Sequence, residues 1–166
     1  DARTHHEIRS FLYKEARFLD AELLRCWYDL LADDLCYWAP LRENKFRREK
    51  TPELNRKASA MFDETKATID LRLQRLESGM AWAEDPATRQ LRVISNIECF
   101  LLEREECYEV HSTFALYRHR AERDDSTLFG RRRDIIRRTD QGFELAGRLV
   151  LLQQSTLLTK NLSAFF

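Results

Sequence analysis

Apolar positions recur three or four residues apart in the N-terminal part of the chain, which is the spacing of one helix face. Residues 4–7 form a candidate capping box, and the apolar positions of residues 8–19 follow it with the helical period. Asp20 can cap a second helix, whose apolar stripe runs through residues 23–31. The pattern therefore predicts two consecutive helices.

A strand and a charged segment follow these helices. Asp33 and Asp34 break the helical period, and residues 35–38 form a short apolar stretch stopped by Pro40, which predicts a strand. Charged side chains dominate from residue 42 to residue 57. We therefore predict an exposed excursion outside the core at this point.

The periodicity changes once more in the second half of the chain. The helical spacing returns over residues 58–76, and Gly79 is a candidate stop because glycine accepts the left-handed conformation. This predicts a third helix, the longest of the three. Beyond Pro86 the spacing is typical of strands. Four strands separated by short polar turns are predicted at residues 91–102, 107–119, 128–138 and 143–152.

The predicted sheet has one apolar side. Tyr108, Val110, Phe114 and Leu116 fall on a single face of the second of these four strands. An apolar face must be covered, and the three helices are the available cover. We therefore predict an α+β fold, in which three N-terminal helices pack on one curved, mostly antiparallel sheet, and a single domain over residues 1–166.

Composition agrees with one ordered domain. The chain has 166 residues and is 43% hydrophobic, which is enough for a continuous core. Its 28 basic and 28 acidic residues give no net charge, so no global field attracts nucleic acid or an anionic membrane. We expect neither as a partner. Charged residues make up 34% of the chain, which predicts many ion pairs.

The cysteines and the hydropathy favour a cytoplasmic protein. Cys26, Cys36, Cys99 and Cys107 lie in apolar or strand-like stretches, where a free cysteine is usually buried and reduced. No stretch approaches the roughly 18 apolar residues of a membrane helix, and the start of the chain lacks a signal-peptide pattern.

A series of short motifs spans residues 8–166 in a characteristic order. In order they are residues 11–16 with Leu19, Asp20 and Trp27; Asp34-Leu35-x-Tyr37-x-x-Pro40-Leu41-Arg42; Trp82-x-Glu84-Asp85-Pro86-x-x-Arg89; Arg131-Arg132-x-Asp134-x-x-Arg137; and Lys160-Asn161-Leu162-Ser163 before Phe166. Together they resemble the β subunits of Rieske-type aromatic-ring-hydroxylating dioxygenases. Each motif is weak by itself, but their order on the matching element order is specific.

The resemblance implies a cone-shaped α+β barrel similar to nuclear transport factor 2 and scytalone dehydratase. It also implies assembly with a catalytic α subunit into a hexamer of three α and three β chains. The α subunit would hold the Rieske 2Fe-2S cluster and the mononuclear iron, and this chain would hold no cofactor. One departure is Gln153, which stands where the family has an Asp. Any ion pair that the family makes there is not carried over to this chain.

The sequence offers neither iron site. A Rieske centre needs two Cys and two His in paired motifs, and Cys107 with His111 is the only close pairing. A site of two His and one carboxylate can be drawn from His5, His6 and Glu7, but these residues fall on different helix faces near a chain end. We therefore expect no catalytic, cofactor-binding or metal-binding residue in this chain.

A stand-alone lyase or isomerase that uses the interior of the cone is the alternative. Asp34 or Asp33 could serve as a general base, Tyr37 as a proton donor or orienting group, and His111 as an acid or base. An Asp pair that ends a helix and a lone His on a strand are more often structural. The alternative therefore stays second to the scaffold hypothesis.

Two charged blocks are candidate interface elements. The arginines around Asp134 alternate along a strand, so they cannot form one basic patch and are better explained by ion pairs within or between subunits. The block that begins at Trp82 is either a rigid turn or a docking element. The predicted interface residues are Trp82, Glu84, Asp85, Arg89, Arg131, Arg132, Asp134 and Arg137.

Overall fold

The computed structural model describes residues 1–40, 60–78, 88–103, 106–120, 124–154 and 164–166. Its elements, in chain order, are α1 (Ala2–Asp20), α2 (Leu24–Tyr28), β1 (Leu31–Pro40), β2 (Ala60–Glu64), α3 (Lys66–Glu77), β3 (Arg89–Leu101), β4 (Cys107–Arg120), β5 (Asp124–Thr139) and β6 (Gly142–Leu152). The predicted α+β class is confirmed.

Helix α1 is the longest of the described helices, and its start is fixed by its cap. The carboxylate of Asp1 accepts hydrogen bonds from the backbone N–H groups of Arg3 and Thr4, at 2.6 and 3.0 Å. The helix therefore begins before the predicted capping box at residues 4–7, because Asp1 satisfies its first free donors. The predicted apolar face is confirmed. Its buried positions are Ile8, Phe11, Leu12, Glu15, Ala16 and Leu19.

The second helix is much shorter than predicted. Helix α2 ends at Tyr28, and Asp20 belongs to α1 instead of capping α2. The chain then enters β1 at Leu31, because β1 pairs in parallel with β6 and the N–H of Leu145 donates to the carbonyl of Leu30 at 2.8 Å. Asp33 and Asp34 thus lie on a strand, and the prediction that they end a helix is wrong.

The predicted third helix divides into a strand and a helix. Residues 60–64 form β2, which pairs antiparallel with β1. Thr65 and Thr68 then form a capping box, in which each side-chain oxygen accepts a hydrogen bond from the other residue's backbone N–H. Helix α3 therefore starts at Lys66. The edge pairing with β1 overrides a spacing that also suits a helix.

The six described strands form one sheet in the order β2-β1-β6-β5-β4-β3. The predicted antiparallel meander of four strands is confirmed as β3 to β6. Only the pair β1–β6 is parallel among the pairs in the described residues. The edge strands β2 and β3 do not pair with each other, so the curved sheet remains open and is not a closed barrel.

The sheet has an inner face, which packs on the helices, and an outer face, which is turned away from them. Val110, Phe114 and Leu116 of β4 point to the inner face and are buried, as predicted, and Tyr108 packs beside them half-buried. Alternate residues of the same strands point to the outer face. The core of the domain therefore lies between the inner face and the helices.

All four cysteines are free thiols. Cys107 is buried, whereas Cys36 and Cys99 are half-buried. Cys26 lies exposed on α2, so the expectation of burial is wrong for this residue, because Trp27 is the only fully buried residue of that short helix. Within the described part of the chain, no helix has the length and apolar character needed to cross a membrane.

Several predictions fall outside the described residues. They are the exposed excursion at residues 42–57, the helix stop at Gly79, the interface residues Trp82, Glu84 and Asp85, and the motif at residues 160–163.

Candidate functional site

A buried charge network occupies the inner face of the sheet. Arg148 of β6 is fully buried at its centre and bridges two carboxylates. Its Nη1 and Nη2 donate to the two oxygens of Glu15 in α1, at 2.7 and 2.8 Å. Its Nε and Nη2 donate to the two oxygens of Asp134 in β5, at 2.8 and 2.9 Å. The guanidinium therefore links α1 to the neighbouring strands β5 and β6 through bidentate hydrogen bonds.

A second buried arginine completes the network. Arg132 Nη1 lies 3.7 Å from Glu15 Oε2, and its Nε lies 3.8 Å from Asp134 Oδ2. Trp27 Nε1 donates to Glu15 Oε1 at 3.1 Å. Burial by itself would raise the pKa of Glu15, but Arg148, Arg132 and the hydrogen bond from Trp27 outweigh it and lower that pKa. Glu15 is therefore ionised in the folded chain at neutral pH.

Residues 164–166 are packed against this network. The N–H of Phe166 donates to Tyr37 Oη at 2.7 Å, and the Tyr37 hydroxyl donates to the Phe166 carbonyl at 3.1 Å. Arg148 Nη1 also donates to that carbonyl, at 2.5 Å. Burial raises the pKa of Tyr37, so the phenol stays protonated and able to donate.

The interior is filled by aromatic rings. Phe165 packs on Trp27, with ring centroids 4.4 Å apart, and Phe166 packs between Phe62 and Phe114 at 6.0 and 5.5 Å. Residues that would line an open cone therefore contact one another or residues 164–166. This arrangement provides packing and fixed charges around residues 164–166.

The structure does not bring together the three residues of the enzymatic alternative. Tyr37 lies on the inner face and is engaged by Phe166. Asp34 lies on the outer face, where it accepts two hydrogen bonds from Arg137 at 2.7 and 3.1 Å. His111 is also on the outer face and contacts Glu109 at 2.5 Å. An acid–base site built on all three is therefore not assembled.

The described side chains that could act as metal ligands are not arranged as an iron site either. Among the described residues, no three His, Cys, Asp or Glu side chains come together as metal ligands. Cys107 is buried at the start of β4, while His111 turns toward Glu109. The paired Cys and His ligands of a Rieske centre have no counterpart in this arrangement.

The outer face of β3, β4 and β5 carries an apolar surface, which we call the strand patch. Val93 lies opposite Ala115, which lies opposite Phe129, and Leu91 lies opposite Tyr117. The large side chains of the strand patch are all exposed: Leu91, Val93, Tyr117 and Phe129. Contiguous exposed apolar side chains on a folded domain mark interaction surfaces.

A groove of about 560 Å³ opens farther along the outer face. Its walls include the Asp34–Arg137 ion pair and the indole of Trp38. Arg137 also donates to Glu144, at 2.6 Å. The Nε1–H of Trp38 is buried and meets no acceptor among the described residues. The groove is thus lined by an ion pair, by apolar side chains and by an indole whose N–H meets no acceptor among the described residues.

The predicted interface residues divide between the two faces. We predicted Arg132 and Asp134 at a subunit interface, but their exposures are 2% and 0%, and both pair within the chain. Their predicted place at a subunit interface therefore stays a prediction, and the contacts that the structure shows for them lie within the chain. Arg89 and Arg131 are exposed on the outer face at the two ends of the strand patch, and Arg137 borders the groove.

Sequence reasoning missed Arg148 and Glu15, the two residues that organise the interior. A signal was present for each. Glu15 lies within the apolar stripe of α1, between Leu12 and Leu19. Arg148 is a charged residue among the otherwise apolar buried positions of β6. A charge on an apolar face predicts a buried partner of opposite sign.

Comparisons with known proteins agree with this architecture. A family model described as "Ring hydroxylating beta subunit" matches residues 14–159. The biphenyl 2,3-dioxygenase subunit beta of Rhodococcus jostii is 41% identical, with 100% of this chain and 90% of that protein covered. A structure of naphthalene 1,2-dioxygenase with indole bound superposes with a TM-score of 0.90 at 24% identity, covering 100% of this chain and 87% of that one. An NTF2-like protein of Novosphingobium aromaticivorans shares the fold, with a TM-score of 0.61 at 12% identity over 93% of this chain and 85% of that one.

Proposed function

Because this chain belongs to the ring hydroxylating beta subunit family, we propose that it trimerises and braces catalytic α subunits for the cis-dihydroxylation of an arene. It is a structural subunit of a multicomponent aromatic-ring dioxygenase, and catalysis is carried by the α subunit. The relatives act on different arenes by name, so the substrate of this complex is left open.

The observation that carries the proposal is the contrast between the two faces of the sheet. The centre of the inner face is filled by the Arg148 network and by residues 164–166. The outer face exposes the strand patch. A domain closed inside and apolar outside suits a scaffold whose function is contact with other chains.

We place the subunit contact on the outer face. Arg89 and Arg131 flank the strand patch, and a guanidinium at the rim of an apolar surface can bind a carboxylate of a neighbouring chain through two hydrogen bonds. Arg137, which borders the groove, also belongs to the proposed contact. Trp82, Glu84 and Asp85 are proposed as further interface residues from the sequence. Arg132 and Asp134 would act indirectly, by holding the inner side of β5.

The assembly we propose contains three α and three β chains and lies in the cytoplasm. The Rieske 2Fe-2S cluster and the mononuclear iron belong to the α subunit. Each β chain contributes no ligand to either iron site, and its role is to hold the α subunits in position.

A matched pair of substitutions tests the proposed contact. Leu91 in the strand patch is 58% exposed and Leu71 on α3 is 60% exposed. Replacing either leucine by aspartate should therefore change the stability of the isolated chain by a similar amount. Leu91→Asp should weaken assembly with the α subunit about tenfold or more, because it places a charge in an apolar contact. Leu71→Asp should assemble like the wild-type chain.

Size-exclusion chromatography with light scattering measures the outcome for both variants, and circular dichroism checks that both remain folded. Equal assembly of the two variants would place the contact elsewhere than the strand patch. The family assignment would then stand, while the location of the interface would be refuted.

A further inference from the structure

Residues 164–166 are held in the way that a protein holds a bound peptide. The N–H and the carbonyl of Phe166 both bind Tyr37, and Arg148 donates to the same carbonyl. The carbonyl of Phe165 accepts a hydrogen bond from Arg92 Nη2 at 2.6 Å. The side chains that make these contacts come from β1, β3 and β6, so the backbone of this short segment is bound from three strands at once.

The two rings of the segment occupy separate pockets. Phe165 lies against Trp27 and beneath the guanidinium of Arg72, 4.5 Å from its ring centroid. Phe166 lies between Phe62 and Phe114. Both Phe side chains are buried, and their pockets are lined by α2, α3, β2 and β4. Two adjacent aromatic pockets set the spacing of consecutive residues in a peptide.

The fixed charges around the segment balance. Arg148 and Arg132 face Glu15 and Asp134. Arg92 is paired with Asp20 at 2.5 Å, and Arg72 is paired with Glu64 at 3.2 Å. These four arginines are thus matched by four carboxylates. A neutral ligand can occupy the site without leaving a buried charge unpaired.

We propose that the inner face is a binding site for a peptide segment with two consecutive aromatic residues, and that residues 164–166 fill it in cis. Tyr37, Arg148 and Arg92 bind the backbone of the segment, and the two aromatic pockets bind its rings. When the rings of the cis segment are removed, the site accepts an aromatic dipeptide in trans. This inference goes beyond the structural role of the chain and does not depend on it.

The test uses the full chain with the double substitution Phe165→Ala and Phe166→Ala. The variant should lose about 10 °C or more in Tm, because two buried rings are deleted. N-acetyl-Phe-Phe-amide carries both rings and the same backbone groups, so it should displace the Ala-Ala segment and recover about 5 °C or more at 100 times its Kd. N-acetyl-Ala-Ala-amide should recover nothing.

Phe11→Ala is the matched control, because it deletes a buried ring that packs on Phe143 away from the site. The aromatic peptide should not raise the Tm of this variant. Recovery of both variants alike would indicate nonspecific binding, and no recovery of the double variant would show that the interior is ordinary core. Either result would overturn the proposal.

A second measurement applies even if the double variant does not fold. Tyr37→Phe keeps the ring and removes only the hydroxyl that binds Phe166. Hydrogen exchange at the Phe166 amide should become at least about tenfold faster, while exchange at the β4 and β5 amides changes little. Unchanged exchange at Phe166 would show that Tyr37 does not hold the segment and would likewise refute the site.

Discussion

Arg148→Met leaves two buried carboxylates facing one arginine, and we expect it to destabilise the chain by about 3–5 kcal/mol at pH 7. Methionine fills most of the same space, so the loss is mainly electrostatic. Four hydrogen bonds to Glu15 and Asp134 disappear, and Arg132 remains at 3.7 and 3.8 Å from them. One carboxylate is therefore left without a matching charge.

The pH dependence of this loss can be worked out from the same contacts. The unpaired negative charge is removed at the lowest free-energy cost when one of the two carboxylates is protonated. At pH 7 this costs about 3.4 kcal/mol for a group whose ordinary pKa is 4.5. The cost falls by about 1.4 kcal/mol per pH unit, so the deficit of the variant should shrink by about 2.7 kcal/mol between pH 7 and pH 5.

The wild-type chain behaves differently because the folded pKa of Glu15 is lowered. The stability that Glu15 contributes is fully present above its unfolded pKa and is lost only as the pH falls through the lower folded pKa. Glu15 therefore adds no pH dependence to the wild-type chain between pH 7 and pH 5. The two stability curves should converge as the solution is acidified.

Urea unfolding followed by tryptophan fluorescence at pH 7 and pH 5 measures both effects, since Trp27 contacts the network directly. Arg25→Met is the control. Arg25 bridges Asp70 and Glu77 on the surface, and its loss should be far smaller and nearly the same at both pH values. A deficit for Arg148→Met below about 1 kcal/mol, or one independent of pH, would show that Arg148 does not offset the two buried carboxylates.

Four further substitutions extend the account. Gly130→Ala would place a Cβ 2.5 Å from the ring of Phe114, so it should cost about 1–3 kcal/mol in urea unfolding, and a neutral result would mean that the ring can shift freely. Asp134→Ala should destabilise the isolated chain itself by about 3–5 kcal/mol, whereas loss of assembly with unchanged stability would return this residue to the interface. Asp34→Ala and His111→Ala, made separately, should leave turnover per assembled complex nearly unchanged, and loss of turnover in an intact complex would favour chemistry in this chain.

The parts of the fold that follow from local periodicity could be predicted from the sequence. The apolar face of α1 and the alternation in β4 each depend on a spacing within one element. Residues 60–64 could not be assigned in this way, because Met61, Phe62 and Thr65 also fit a helix. Their strand conformation depends on pairing with β1, which lies distant in sequence.

The inner and outer faces of β5 could not be distinguished by sequence for a similar reason. Alternation correctly put Arg132 and Asp134 on one face of the strand. However, that face carries Leu128 and Ile136, while the opposite face carries Phe129 and Ile135, so the apolar content of the two faces is nearly equal. Only the packing of α1, which brings Glu15 over the sheet, decides that the charged pair is buried.

The assembly can be tested by native mass spectrometry of the complex formed when this chain is co-expressed with its α subunit. It reports the number of chains and the metal that they carry. We predict a species with three α and three β chains, iron and acid-labile sulfide in proportion to α, and a β chain that carries no stoichiometric iron when it is released. Two separate species, or one iron per isolated β chain that survives chelation, would contradict the account.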